Sequence, residues 1–354
     1  MDSKPIYQKL IIYYFSGTGN AKNAAQWMIK EAQEQGINSQ LVNIDQLTHV
    51  DIPETNKATL IGFCAPTHGF NMPPIALKFI WKFPRLKNVD VFILNTRAGL
   101  KLSKLFVPGL SGLAQFFPAI LLIAKGFSII GMQPLDLPSN WILIHPGVKQ
   151  KVVDSIYQRC QAIVIRFAKS IFSGKRKYQA FWSFPIDILV IPLAIAYYFI
   201  GRFFIAKTLI ATDACNHCGK CVEACPVQAI SMGHDSPFWS FNCESCMRCI
   251  NICPQRAIET AHGYVLILYL LSYFLIAPAL LYLLKWMGLW EWIQASLFLE
   301  NVYFLLYSAV YLIIVLITYR ILHYAMRFKP FNRMIRYTSL SSYSFWRRYK
   351  APKQ

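Results

Sequence analysis

The sequence predicts three structural parts in one chain: an α/β doubly wound parallel sheet, a small α+β cysteine domain, and a C-terminal transmembrane helical hairpin. Three observations predict them. Short apolar runs alternate with helical stretches through residues 1–172. Eight of the ten cysteines crowd between Cys215 and Cys253. Two uncharged apolar runs, residues 263–284 and 301–319, are each long enough to cross a bilayer. The composition agrees. The 354 residues are 55% hydrophobic and only 15% charged, against about 25% charged in soluble domains. That excludes disorder as the main state and disfavours an entirely soluble globule. The net charge of +19 admits nucleic acid, an anionic membrane face or acidic partners; with such hydrophobicity it favours the membrane.

Within the first part, residues 10–15, 41–44, 59–64, 89–95 and 127–132 read as strands. Residues 20–35, 74–83 and 148–171 read as helices. The stretch 110–124 has no charge on any face, so it either covers the sheet or meets lipid. Residues 173–209 form a bridge. A basic start (Lys175, Arg176, Lys177) leads into an apolar run, 181–205, broken by Asp187 and Pro192. Its longest uncharged stretch is short of the roughly 20 residues a span needs, and it reads as interfacial or re-entrant. The N-terminus, with its short apolar run and no small-residue cleavage site, does not read as a signal peptide. The first half is therefore expected in a reducing compartment.

The cysteine domain (210–260) carries Cys215-x-x-Cys218-x-x-Cys221-x-x-x-Cys225-Pro226 and then Cys243-x-x-Cys246-x-x-Cys249-x-x-x-Cys253-Pro254. Zinc sites favour separate C-x2-C pairs, and disulfide frameworks spread their cysteines through short secreted chains. The doubled spacing resembles the two-cluster bacterial-type ferredoxins. The resemblance implies two [4Fe–4S] clusters, the fourth cysteine of each run ligating the other cluster. One set is then Cys215, Cys218, Cys221 and Cys253; the second is Cys243, Cys246, Cys249 and Cys225. Lys220, Arg248 and Arg256 are expected to raise the potentials by favouring the more negative reduced state.

The first strand runs into Ser16-Gly17-Thr18-Gly19-Asn20 and then a helix. Backbone N–H groups and two hydroxyls at a helix N-terminus suit a phosphate. The loop lacks the lysine of a P-loop and the G-x-G-x-x-G of dinucleotide folds. Loop and setting resemble the flavodoxin family over about residues 8–172. That implies FMN, with two further loops flanking the flavin: Ala65, Pro66, Thr67, His68, Gly69, Phe70 and Asn71, and then Asn95, Thr96, Arg97, Ala98 and Gly99. Phe70 is the candidate stacking ring, and Arg97 would stabilise an anionic reduced flavin. His68 either caps backbone or serves the flavin. Cys64 and Cys160 read as core. Ala21 stands where the family often has a hydroxyl.

The whole chain resembles the flavodoxin–ferredoxin fusion family of bacteria and archaea, departing from it in the hairpin (261–325) and the apolar character of 110–124 and 181–205. The tail (326–354) is basic. Arg320–Gln354 holds nine Lys/Arg and no acid, so the positive-inside rule puts tail and cysteine domain in the cytoplasm. Trp346, Arg347 and Arg348 read as suited to anionic lipid. Nucleic acid is disfavoured there because the tail starts at the membrane. The leading expectation is an electron-transfer protein on the cytoplasmic face of a bacterial inner membrane, with a redox donor and acceptor the sequence does not name. The alternatives are a flavin-dependent reductase of a quinone or lipid, and an iron–sulfur membrane sensor or scaffold. Electron carrier or oxidoreductase stays open.

Overall fold

A computed structural model describes residues 5–351 apart from 48–55, 57, 103–104, 140, 234–235, 347 and 349–350. The first part is built on strands β1 (Lys9–Tyr14), β2 (Asn38–Asn43), β3 (Thr59–Pro66) and β4 (Asp90–Ala98). A small hairpin, β5 (Leu100–Leu102) and β6 (Leu105–Val107), precedes β7 (Ser128–Leu137) and the two-residue edge strand β8 (Lys177–Tyr178). The sheet order is β2-β1-β3-β4-β7-β8, and every pair is parallel. The order of the first five is that of flavodoxin-like doubly wound sheets. The central strands read as near-continuous apolar runs because helices cover both faces. In β1, Leu10, Ile12 and Tyr14 pack with α1 (Asn20–Glu34) and α4 (Gln150–Phe172), through Met28, Val164 and Phe167. Ile11 and Tyr13 pack on the opposite face with α2 (Pro74–Lys82) and α3 (Leu113–Ala124), through Ile80 and Leu122. Alternate side chains thus feed two cores.

β4 and β7 run beyond the spans predicted for them, 89–95 and 127–132. Polar residues disguise their C-terminal ends, and these meet across the strands: Arg97 lies opposite Asp136 and forms an ion pair with it at 2.7 Å. α3 covers the sheet with one face and leaves its other apolar face exposed. Ala114, Gln115, Ala119 and Leu122 face the sheet, while Phe117, Ile120 and Ile123 are exposed.

The bridge is two apolar helical segments, Gln179–Leu189 and Ile191–Ala206, bent by 78° at Val190. Pro192, in the first turn of the second segment, suits a new helix start. Asp187 is buried. Its carboxylate accepts the backbone N–H groups of Ser111 and Gly112, both at 2.8 Å, just ahead of α3, and the Ser183 hydroxyl at 2.7 Å. The charge that interrupts the run therefore clamps the bridge to the sheet domain, where a carboxylate satisfies otherwise orphan N–H groups at a helix start.

In the cysteine domain β9 (Leu209–Ala211) pairs antiparallel with β12 (Ile258–Thr260), and β10 (Ile230–Met232) with β11 (Pro237–Trp239). Directly after β12 come two apolar helices, His262–Trp286 and Leu297–Ala325, each with an 18-residue stretch of mean hydropathy 2.2 that is mostly unburied. They are long and apolar enough to cross a membrane. Hydroxyl contacts tie them together: Tyr264 Oη meets Thr318 Oγ1 at 2.8 Å, and Ser272 meets Tyr307. A π-helical turn, Ser272–Ile276, stands just before Pro278, where a missing N–H and a bulky ring disturb the ladder.

The tail departs from the lipid-facing reading of Trp346 and Arg348. The helix Lys329–Thr338 and the turns after it pack back on the cysteine domain. Asn332 Oδ1 accepts the Asp213 N–H at 3.2 Å, Trp346 is buried with its indole N–H on the Ile142 carbonyl, and Arg348 pairs with Glu259. Glu259 sits inside the domain and needs a cation there. Arg347 lies outside the described residues. The hairpin thus leaves from and returns to the same domain.

Candidate redox centre

The phosphate-loop segment follows β1. Gly19 caps α1 in a left-handed conformation (φ 105°), and its N–H donates to Ser16 Oγ at 3.0 Å. The first turn of α1 contains no acid, so the positive end of the helix dipole is left for an anion. Above it lies a cavity of about 340 Å³. Of the predicted residues, Ser16, Gly17, Thr18, Asn20, Pro66, Thr67, His68, Gly69, Phe70, Thr96 and Arg97 line it. Gly19, Asn95 and Gly99 do not. Asn95 sits fully buried behind the wall and donates to Thr67 Oγ1 at 2.6 Å and Ser111 Oγ at 3.1 Å, so it positions the loop. Gly99 is pressed against the Asp136 backbone, with no room for a Cβ.

The structure fixes the surroundings of three of these residues. Arg97 is buried and paired with Asp136, so its charge is largely spent before it reaches a flavin. His68 is buried, which pulls its pKa down to about 4 and leaves it neutral at pH 7. The Asn20 side chain is structural: its Nδ2 donates to the Pro138 carbonyl at 2.8 Å, and Tyr157 Oη donates to its Oδ1 at 2.6 Å.

Sequence reasoning missed the far wall, made by Pro138, Ser139, Trp141, Ile144 and His145 after β7. A connection of this length between a strand and a helix, carrying Trp and His, was the available signal. Trp141 stands 5.9 Å from the His68 ring and 5.5 Å from Tyr197 of the bridge, centroid to centroid. The Tyr197 ring fills the space where a Cβ on Gly69 would go. His68 Nδ1 is a buried nitrogen with no partner on this wall. The cavity is therefore a cradle with an unmet polar atom and an aromatic wall, and it fits FMN.

The eight cluster cysteines sort into two groups. Cys215, Cys218, Cys221 and Cys253 line one small cavity. Burial raises the pKa of Cys243, Cys246 and Cys249, and proximity raises it further: Cys246 and Cys225 act on Cys243, Cys225 on Cys246, and Cys243 and Cys246, with Cys221 of the first run acting least, on Cys249. The grouping is three cysteines from one run and the fourth from the other. The backbone repeats as the sequence does. Positive φ occurs at His217 and Gly219 between the first ligands, and at Ser245 and Met247 between the second; Gln228 and Arg256 match in the same way. The Ala229 N–H donates to Cys225 Sγ at 3.2 Å and the Ala257 N–H to Cys253 Sγ at 3.4 Å. Ser245 Oγ, within the second loop, is a buried donor without a protein partner, and the buried Trp239 indole stands against the Cys249 thiol. Among the described residues no three His, Cys, Asp or Glu close on a single ion. Cubane thiolates each hold a different iron, and cluster sulfur accepts such donors. The donor set fits two [4Fe–4S] clusters.

The two sites meet. Cys246, of the second group, is itself part of the wall of the cavity. Its carbonyl oxygen occupies the position a Cβ on Gly17 would take. Arg248 stands beside Cys246, as the sequence implies, and also reaches across, donating to the Ser16 carbonyl at 2.9 Å and pairing with Asp45. Glu244 Oε2 accepts the Ile75 N–H at 3.1 Å. The first group faces outward: Cys218 is exposed, whereas Cys243 and Cys249 are buried.

Known proteins match the two redox parts. A family model described as flavodoxin matches residues 12–112, and one described as a 4Fe-4S dicluster domain matches 214–258. A curated protein, NADPH-dependent diflavin oxidoreductase 1 of Arabidopsis thaliana, is 30% identical over 88 residues, which are 25% of this chain and 14% of that protein. Among solved structures, an archaeal flavodoxin is 15% identical over 46% of this chain and 96% of its own, with a TM-score of 0.31. Oxidised flavodoxin 1 from Bacillus cereus is 16% identical over 45% and 97%, with a TM-score of 0.30.

Proposed function

We propose that this chain, whose residues 12–112 match a flavodoxin model and 214–258 a 4Fe-4S dicluster model, is a membrane-anchored electron wire built on FMN and two [4Fe–4S] clusters at the cytoplasmic face of a bacterial inner membrane. Its order is FMN, the Cys243/Cys246/Cys249/Cys225 cluster, the Cys215/Cys218/Cys221/Cys253 cluster, then an outside partner. The observation that carries this reading is Cys246, a cluster ligand that is also a wall of the flavin cavity. FMN, when bound, exchanges one or two electrons and each cubane one, so the pair converts two-electron to one-electron chemistry.

The chain's own residues make this possible by position. Ser16, Thr18 and the start of α1 take the phosphate, and Trp141 and Phe70 wall the ring site. Arg248, Glu244 and Gly17 hold the two domains in contact. Neutral His68 and the Arg97–Asp136 pair leave little net charge beside the ring. The hairpin and the exposed apolar faces of α3 and the bridge support a membrane seat. The basic tail at the end of the hairpin supports the cytoplasmic side.

Anaerobically purified, detergent-solubilised protein tests the reading. About one FMN and eight irons per chain are expected, the iron content of two cubanes. Reducing the flavin should then reduce a cluster within the same molecule, at a rate independent of protein concentration. Eight irons with no flavin, or a rate that scales with concentration, would refute the wire.

A further inference from the structure

A second cavity lies away from the flavin, where the cysteine domain meets the hairpin. It is a cleft of about 700 Å³, walled by Phe204 and Ile205 of the bridge, by Val265, Leu266 and Tyr269 of the first apolar helix, and by Leu340 of the tail. No charged side chain lines it if His262 is neutral, and both ring nitrogens of His262 are engaged, Nε2 with the Leu143 carbonyl at 3.0 Å and Nδ1 with the Leu340 N–H at 3.1 Å. Val265, Leu266 and Tyr269 are exposed, so the mouth opens on the surface that lipid would cover.

Its floor is β12. Thr260 is 1% exposed and lines the cleft, and its Oγ1 is buried without a partner. A buried hydroxyl left unpaired is costly, and a ligand carbonyl that reaches it from the cleft would relieve that cost. On the same strand, two residues earlier and so on the same face, Ile258 lines the cavity of the outward cysteine group, Cys215, Cys218, Cys221 and Cys253. One strand thus connects the exit cluster to the cleft.

We propose that this cleft binds the wire's membrane-soluble partner, a quinone, with Thr260 Oγ1 donating to one ring carbonyl. The inference rests on the electron-transfer reading and deepens it by naming the acceptor class. An uncharged slot of this volume, within the usual range for small-molecule sites, suits a neutral ring with an apolar tail that enters from lipid. Of the ligands it would accept, a quinone also has a carbonyl for the hydroxyl and takes electrons singly. Reduction balances as follows. The quinone gains two electrons, one at a time, as reduced clusters return to their oxidised state, and two protons from the aqueous side. Both C=O groups become C–OH, and the hydroquinone leaves into the bilayer. Reduced flavin, when bound, would supply those electrons to the clusters.

The test uses full-length protein in detergent, with flavin and iron assayed in each sample and a decyl-substituted benzoquinone as probe. Saturable binding of one quinone per chain is expected, with protein reduced by dithionite and then freed of it forming hydroquinone. Thr260→Val keeps the shape, removes the donor and should weaken binding about threefold to tenfold, the worth of one hydrogen bond. Leu266→Trp, which fills the mouth, should abolish it without touching the strand. Non-saturable partitioning, or equal binding by all three proteins, overturns the proposal and leaves the cleft to lipid acyl chains. If flavin still reduces the clusters in that protein, the wire survives the loss of its quinone site. Quinone binding by a protein without clusters would overturn the wire and the reduction step together.

Discussion

Gly17 of the phosphate loop lies directly against the carbonyl oxygen of Cys246, a cluster ligand from a run more than two hundred residues away in sequence. A glycine that lines the cavity is also where the cysteine domain docks. The same small residue serves both, and any side chain there must displace one of them.

Gly17→Ala should therefore separate the domains. The new Cβ meets backbone, which cannot rotate away. Overpacking of this kind costs about 1–3 kcal/mol. Stopped-flow reduction of the clusters after the flavin is reduced should slow at least tenfold, while iron content stays at the wild-type level. An unchanged rate would show that Cys246 is not on the route.

Cys225→Ala and Cys253→Ala should have opposite consequences for the wire. The ligand crossing places Cys225 with the flavin-side group and Cys253 with the outward group. EPR of the flavin-reduced protein should show a reduced cluster in Cys253→Ala and none in Cys225→Ala. The reverse pattern would invert the order of the wire.

His68 gives the sheet domain an acid limit. Burial lowers its folded pKa to about 4 from an ordinary 6.5. Between these values the unfolded chain binds the proton and the folded chain does not, so stability is full above about pH 6.5 and falls as pH drops toward 4. At about 1.4 kcal/mol per pH unit, the loss is on the order of 3 kcal/mol. His68→Gln should flatten this part of the curve of Tm against pH; a parallel curve would place the acid sensitivity elsewhere.

Arg348→Ala should loosen the tail. It leaves Glu259, with its side chain 7% exposed, without its cation. Breaking a buried pair from one side costs about 3–5 kcal/mol. Limited proteolysis should cut the variant after the second apolar helix much faster than the wild type. Replacing Glu259 as well, by Gln, should recover part of the loss.

Much of this molecule is legible in its sequence. Strand–helix alternation set the sheet, because strands covered on both faces must be apolar throughout and their spacing forces parallel crossovers. The cysteine spacing set the ligand loops, down to matching left-handed residues at His217 and Ser245, because a fixed spacing leaves few backbone paths around a cluster. Hydropathy set the hairpin. Such features are local: they depend on residues near each other along the chain. Tertiary structure decided what depends on partners far away. Arg97 lost its free charge to Asp136, Asp187 became a clamp on the residues leading into α3, and Arg348 turned inward to Glu259. Trp141 and Cys246 entered the flavin wall from distant segments. A side chain's charge and polarity are written in the sequence; whether they face a ligand, a lipid or another side chain is fixed only when the chain closes on itself.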